Sequence, residues 1–418
     1  MTSSGRWIHN TRLPLVLVAL VGGASAMGQS ARWPQWGGPD RNFVVGSSPL
    51  AASWPDAGPK EIWRRALGEG YSSIIVDGPM LYTMYRSGDK EVVVALAADT
   101  GKTQWEHAYV AKVHEKMRTD FGSGPNTSPL VHGDRLYTVG ISGHTFCLDK
   151  RTGKPIWSHD LMKDFDTPYT GFGYSASPVV YKDMLVLLAG GKKGSIMALR
   201  LRDGGLVWRN KDYDLSYASP IVINVDGQDQ IVVVTDKEVV GLDAATGNAQ
   251  WTHPHENQFH TNICTPLWHA GNLLFVSSSG ESGSRLLKLS RKNGKSTVTE
   301  LWANKKFGIT HSNAIWIGDY IYAQAGYQPT FFAAISAKTG ETAFRDRDFN
   351  TATCVYSDGK FIILDENGSL MLATATPQGV NVISKADVLE NVAWTPPTLV
   401  GKRLYLRDKK NIVVLDIG

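Results

Sequence analysis

One short phrase recurs along this chain at intervals of roughly 45 residues, and a period of that length signals an array of similar supersecondary units. A small or apolar residue comes first, often an Asp two positions later, then a Gly turn and an aromatic. The clearest copies are CLDKRTGKPIW, Cys147 to Trp157, and GLDAATGNAQW, Gly241 to Trp251. Aligned on the turn glycine, the phrase falls at Gly101, Gly153, Gly204, Gly247, Gly294, Gly340 and Gly379. Trp105, Trp157, Trp208, Trp251 and Phe344 follow their glycines by four residues. An insertion delays the aromatic of the fifth unit to Trp302, and Ile383 takes its place in the seventh. The Asp column holds Asp149, Asp243 and Asp416, with Ser290 and Ser336 as substitutes.

Each phrase has a physical reading. Thr-Gly or Asn-Gly between apolar runs suits a tight hairpin, because glycine tolerates positive φ. Asp or Ser ahead of the turn can accept hydrogen bonds from the turn's N–H groups. The aromatic beyond the turn is large enough to fill the gap between neighbouring sheets. Upstream lie two further short strands, as in DRLYTVG (Asp134 to Gly140), DMLVLLAG (Asp183 to Gly190) and IVVVTD (Ile231 to Asp236). Before these comes an innermost strand such as TSPLV, SASPVV or ASPIV. Four strands in a unit of this length make a propeller blade. Helical solenoids would need a 3.6-residue period, and no long amphipathic helix is evident.

The ends set the blade count. WTPPTLVGKRLYLRD, Trp394 to Asp408, begins an eighth unit, and NIVVLDIG stops at Gly418 without an outer strand. KEIWRRAL, Lys60 to Leu67, precedes the first blade and carries Trp63. It is expected to supply the missing strand and close the ring, which removes the open edge of a circular array. The fold class is therefore all-β, an eight-bladed propeller of four-stranded antiparallel blades. Seven blades is the alternative if the degenerate unit around Gly379 is not a blade.

Residues 1–26 carry Arg6 and Arg12, an apolar core from Leu13 to Val21, and Ala24, Ser25 and Ala26. That is the layout of a cleavable secretory signal, too short in its apolar run for a membrane anchor. Residues 27–59, rich in Pro, Gly and Ser, read as a strap laid over the propeller of residues 60–418. The expected product is a soluble, monomeric, periplasmic or secreted protein. The net charge of +4 falls to +2 without the leader, so nothing resembles the basic face of a nucleic-acid binder. The run Arg407 to Lys410 reads as a solvated turn. Cys147, Cys264 and Cys354 each fall in an apolar strand of a different blade, without metal-ligand spacing, and read as buried, inert thiols.

The Ala/Cys-x-Asp-x-x-Thr-Gly-x-x-x-Trp phrase resembles the repeat of the pyrroloquinoline-quinone-like propeller superfamily, and WPQWGGPDRN is similar to the start of many exported bacterial members. The resemblance covers Trp33 to Asp416. It implies the fold, and it leaves function divided, because the superfamily includes quinoprotein dehydrogenases and a non-catalytic outer-membrane barrel-assembly lipoprotein. Dehydrogenases of this kind hold a quinone on a Trp floor with Ca²⁺ bound by Glu, Asn and Asp, and several roof it with adjacent cysteines. This chain has no adjacent cysteines and no C-x-x-C-H. Nor does a lipid-acceptor Cys follow Ala26.

Propellers bind ligands around the central axis. Three residues ahead of Pro129, Pro178 and Pro220, and at equivalent positions, stand Tyr71, Asn126, Ser175, Tyr217, Ile263, His311, Thr351 and Trp394. Tyr174, Asn262 and Asn350 lie beside them, and nearby loops add His114, Arg118, Asp120 and His260. The expected funnel residues are His114, Arg118, Asn126, Tyr174, Tyr217, His260, Asn262, His311 and Trp394. Aromatics would stack on a ring, amides and imidazoles would hydrogen-bond it, and Arg118 would take a carboxylate. The leading expectation is a binding or scaffolding module, without a cofactor, for a small molecule, glycan or protein, with an envelope protein as one partner. The alternatives are a dehydrogenase using pyrroloquinoline quinone with Ca²⁺, and a polysaccharide lyase working through Arg118, His260, His311 and Tyr217.

Overall fold

The computed structural model describes residues 1–2, 32–46, 49–168, 171–190, 196–210, 213, 217–327 and 329–418. The expected export signal of residues 1–26 lies, apart from Met1 and Thr2, outside the described residues. Eight antiparallel sheets follow one another along the chain. The second blade shows the plan, with Leu130–His132 innermost, then Arg135–Val139, His144–Asp149 and Pro155–Asp160. The inner strands of the third to eighth blades are Val179–Tyr181, Ile221–Val225, Leu267–His269, Ala314–Ile317, Ala352–Ser357 and Thr398–Val400. The unit around Gly379 is a full blade, its last two strands, Ser369–Thr376 and Gly379–Asp387, joined through that turn. Eight blades is the count.

The eighth blade closes as its sequence predicts. Lys60–Ala66 pairs antiparallel with Asn411–Asp416, from Lys60 opposite Asp416 to Ala66 opposite Asn411. The first blade, Ile75–Asp77 to Thr103–Val110, gains a fifth strand, Arg32–Trp33, on its inner edge. Middle strands are covered on both faces by adjacent blades, so they read as unbroken apolar runs. Met184–Leu188 is wholly buried. Outer strands alternate exposed and partly covered residues, as Thr342–Asp346 does.

The repeated aromatic joins one blade to the next. Trp63, Trp105, Trp157 and Trp302 lie over Gly101, Gly153, Gly204 and Gly340 of the following blade, where an added Cβ would come within 2.5 to 2.8 Å of the indole. Each of these indoles also donates to a backbone carbonyl of that blade, at 2.8 to 3.1 Å. Burying an indole face this way contributes about 2 kcal/mol per junction. The fifth blade departs from the pattern. Its last two strands, Gly283–Lys292 and Lys295–Asn304, form a long hairpin. Trp251 turns back instead over Gly241 of its own blade and donates to Gln230 Oε1 at 2.7 Å. The Asp before the turn acts as expected: Asp149 Oδ1 accepts from Arg151 N and Thr152 N, and Asp243 Oδ1 from Ala245 N and Thr246 N.

Two expectations are corrected. The run beginning at Arg407 is not a solvated turn, because Arg407 is fully buried and Asp408 nearly so. The Arg407 guanidinium bridges the eighth blade to the first, donating to Ser72 O, Thr83 Oγ1 and Met84 O at 2.8 to 3.1 Å. Burial lowers its pKa to about 10, and the neighbouring Asp408 carboxylate and Tyr71 offset only part of that. Asp408 Oδ1 accepts the N–H groups of Lys410 and Asn411, both at 2.7 Å. Cys264 sits in a bend just before a strand, whereas Cys147 and Cys354 are in strands. All three thiols are buried and free, and burial pushes Cys264 and Cys354 up to about 12.

Residues 32–46 cross the end of the ring beneath the funnel. Val131 N donates to Pro34 O on the second blade, and Arg41 donates to Pro178 O on the third at 3.0 Å. Val44 bridges Tyr356 of the seventh blade. Burial pulls the Arg41 guanidinium down to about 9.

Candidate functional site

Just before each inner strand the chain runs toward the axis, which brings residues far apart in sequence onto one wall. A serine belt fixes the spacing there. Ser73 N donates to Ser128 Oγ, Ser128 N to Ser177 Oγ, and Ser177 N to Ser219 Oγ, each step crossing to the next blade at 2.9 to 3.3 Å. Ser128, Ser177 and Ser219 directly precede the prolines of TSPLV, SASPVV and ASPIV, so the Ser-Pro pairs were a legible signal for this belt.

Above the belt is a cavity of about 360 Å³ lined by Tyr71, Asn126, Ser175, Tyr217, Ile263, His311 and Trp394 from the expected ring. Its floor is Trp36 of the strap, whose indole donates to Thr265 Oγ1 at 2.9 Å and whose ring meets Phe43 edge-on at 5.2 Å. Trp394 stacks with His311 at 5.3 Å and 9° and with Tyr71 at 5.3 Å and 23°. Its Nε1 donates to Glu366 Oε2 at 3.0 Å. Phe121 leans on Trp394 at 5.5 Å and accepts the Tyr71 hydroxyl on its carbonyl at 2.7 Å. At the mouth Arg118 lies over Phe172 at 4.6 Å and pairs with Asp120 at 3.2 Å. Phe121, Phe259 and Tyr327 are 40, 52 and 56% exposed, so apolar faces stand open to solvent around the opening.

Burial lowers the pKa of His311, and the attraction of Glu366 offsets only part of that, which leaves a neutral imidazole against Trp394. Burial raises Tyr71 more than nearby Lys409 lowers it. The wall thus offers flat faces, neutral hydrogen-bonding groups and cationic side chains at its rim.

The other expected residues go elsewhere. Thr351 and Asn350 line an adjoining chamber between the sixth and seventh blades. His114 and Tyr174 line a separate groove with His144 and Asp160, and the Tyr174 hydroxyl lies 2.6 Å from Thr167 Oγ1. His260 is exposed beside Asp236 at 2.7 Å. The buried Asn262 side-chain amide donates to Thr235 O, and the Asn262 backbone carbonyl accepts Tyr217 N at 3.1 Å. Sequence reasoning missed Trp36, Phe121, Phe172, Phe259 and Tyr327, which come from connections that do not repeat from blade to blade.

The quinone and Ca²⁺ that the resemblance implies need a Glu-Asn-Asp donor set. Glu366 Oε2 is taken by the Trp394 indole, and the neighbouring Asp365 accepts Asn367 N and Ser369 N, both at 3.0 Å. The residues present do not fit that cation. Among the described residues no cluster of three His, Cys, Asp or Glu is arranged to hold a metal.

The family profile described as outer membrane protein assembly factor BamB matches residues 89–346. The chain belongs to this family. The BamB-family chain is 25% identical over 294 residues to the outer membrane protein assembly factor BamB of Burkholderia pseudomallei, covering 68% of this chain and 72% of that one. It is also 33% identical over 152 residues to the 1-butanol dehydrogenase (cytochrome c) of Thauera butanivorans, which is 34% of this chain and 20% of the dehydrogenase. The chain thus spans about a fifth of that enzyme's length. Its fold is that of BamB from Moraxella catarrhalis, with TM-score 0.59 and 18% identity over 85% of this chain and 99% of that one.

Proposed function

We propose that this BamB-family propeller is an exported binding module of the cell envelope, whose central funnel takes a ring-shaped small molecule with its face on Trp394. The observation that carries this reading is the aromatic wall of Trp394, His311 and Tyr71, closed below by Trp36 and open above between exposed aromatics. Such a surface is costly to leave facing water, and a ring that covers it recovers that cost without reorganising the scaffold. The outer strands add exposed Ile156, Leu206, Val207 and Leu301, a sheet-edge surface suited to an envelope protein partner. Titration of the mature protein with pyrroloquinoline quinone, a planar ring acid, followed by tryptophan quenching, tests the funnel. Saturable quenching that Trp394→Ala removes supports the reading, and no binding of this ring or of a ring sugar at high concentration defeats it.

A quinone-dependent dehydrogenase is the second reading, favoured by the similarity to the 1-butanol dehydrogenase and by the flat Trp394 face. The carboxylates committed to N–H donors speak against it. Dye reduction by alcohols or sugars in the presence of pyrroloquinoline quinone and Ca²⁺ would establish it.

A further inference from the structure

Beside the funnel, between the sixth and seventh blades, is a chamber of about 590 Å³ that shares Phe121, His311, Tyr327 and Trp394 with the funnel wall. One buried group in it is unfinished. Gln324 is 1% exposed, its Nε2 donates to Ala325 O at 2.9 Å, and its Oε1 has no partner among the described residues. The amide orientation is fixed, because a flip would set Oε1 against the Ala325 carbonyl. A buried acceptor left without a donor costs about 1–3 kcal/mol. A side chain that lines a chamber with its acceptor unfilled is suited to a donor brought from outside.

The neighbours narrow the class of that donor. Arg347, Asn350 and Glu366 line the same chamber, so a ligand meets a guanidinium, an amide and a carboxylate there. Trp394, Tyr327 and Phe349 supply its apolar side. A ring that satisfies all of these needs hydroxyl donors for Gln324 and Glu366, C–H faces for the aromatics and an anionic group for Arg347. A quinone acid brings no hydroxyl donors, and a lipid tail brings neither hydroxyls nor an anion.

We propose that this chamber is a subsite for an acidic sugar ring, and that the ligand spanning chamber and funnel is a uronate-containing oligosaccharide. The assignment rests on the funnel being a ring-binding site, with one sugar on Trp394 and the next beside Gln324. The uronate carboxylate meets Arg347 as a planar, two-oxygen acceptor, and a ring hydroxyl donates to Gln324 Oε1.

The test is calorimetric titration of the mature protein with trigalacturonate and with neutral cellotriose, repeated on Gln324→Met and Arg347→Ala. Trigalacturonate is expected to bind at least tenfold tighter than cellotriose. Gln324→Met, nearly the same shape without the acceptor, is expected to weaken trigalacturonate about tenfold. Arg347→Ala is expected to remove the preference over the neutral sugar. Thermal melts of both variants within a few degrees of the parent show that the fold is kept, and Arg347→Ala at an exposed position supplies the answer if Gln324→Met melts early. Absence of sugar binding, or binding unchanged in both variants, overturns the subsite. Quenching by pyrroloquinoline quinone that depends on Trp394, alongside no sugar binding, keeps the funnel reading and sinks only this proposal. Neither ligand binding sinks both.

Discussion

The ring planes of His311 and Trp394 lie 9° apart with centroids at 5.3 Å, and Glu366 holds the indole N–H of that same tryptophan at 3.0 Å. One side chain is thereby fixed both by a face and by an edge. Trp394 comes from the approach to the eighth blade, His311 from the sixth and Glu366 from the seventh, so the platform is assembled by the ring as a whole.

Glu366 is accordingly a positioning residue for the platform. Glu366→Leu is expected to lower ring-ligand affinity about tenfold by freeing the indole, whereas Glu366→Gln keeps an acceptor and most of the affinity. Quenching titrations read the affinity, and near-UV circular dichroism reads the order of the indole. Equal losses in both variants would show that charge, and not the hydrogen bond, is what matters.

The imidazole of His311 is expected to titrate below the ordinary histidine value of about 6.5, because burial outweighs the pull of Glu366. Removing that carboxylate charge in Glu366→Gln should lower it further. Proton–nitrogen correlation spectra of the imidazole across pH, assigned with His311→Gln, report both values. An increase in the Glu366→Gln protein would contradict the electrostatics described.

His255 gives stability a pH dependence. It is buried with Nε2 2.8 Å from Ser278 Oγ and no partner on Nδ1 among the described residues, and burial depresses its pKa to about 3. Between about 6.5 and 3 the unfolded chain binds a proton that the folded chain refuses. Stability from this group is therefore full above 6.5 and falls with pH through that window, by up to about 1.4 kcal/mol per unit. Urea unfolding at pH 7 and pH 5 should show this slope, and His255→Gln should flatten it.

Gly153 and Gly88 separate contact from backbone conformation. Both have positive φ, +71° and +61°, but a Cβ at Gly153 would stand 2.5 Å from the Trp105 ring, while nothing lies within 4 Å of Gly88. Gly88→Ala is expected to cost about 1 kcal/mol from the conformation alone. Gly153→Ala should cost about 1–3 kcal/mol more by displacing the indole. Equal losses in denaturant unfolding would mean that the blade junction yields freely.

The ring was legible because its physics repeats. Turn glycines, the Asp before them and the docking tryptophans recur at one spacing, and even the unassigned Trp63 marked the closing strand correctly. Arg407 was misread because local sequence shows charge but not that the first blade's carbonyls converge on it from far along the chain. The funnel was half legible for the same reason. Tyr71, His311 and Trp394 occupy equivalent repeat positions, whereas Phe121, Phe172 and Tyr327 sit in connections with no period, and the Trp36 floor depends on where the strap crosses.

The strand that seals the eighth blade also sets an order of events. Lys60–Ala66 is synthesised before any blade is complete, yet its one sheet neighbour among the described residues, Asn411–Asp416, is the last strand along the chain. While the chain emerges, the early strand must stay unpaired, and the Trp63 indole waits with it. Closure is thus a late, long-range step that completes the eighth blade and its junction with the first together. Removing Asn411–Asp416 would therefore deprive residues at the opposite end of the sequence of their partner, and a lesion at one terminus would be felt at the other.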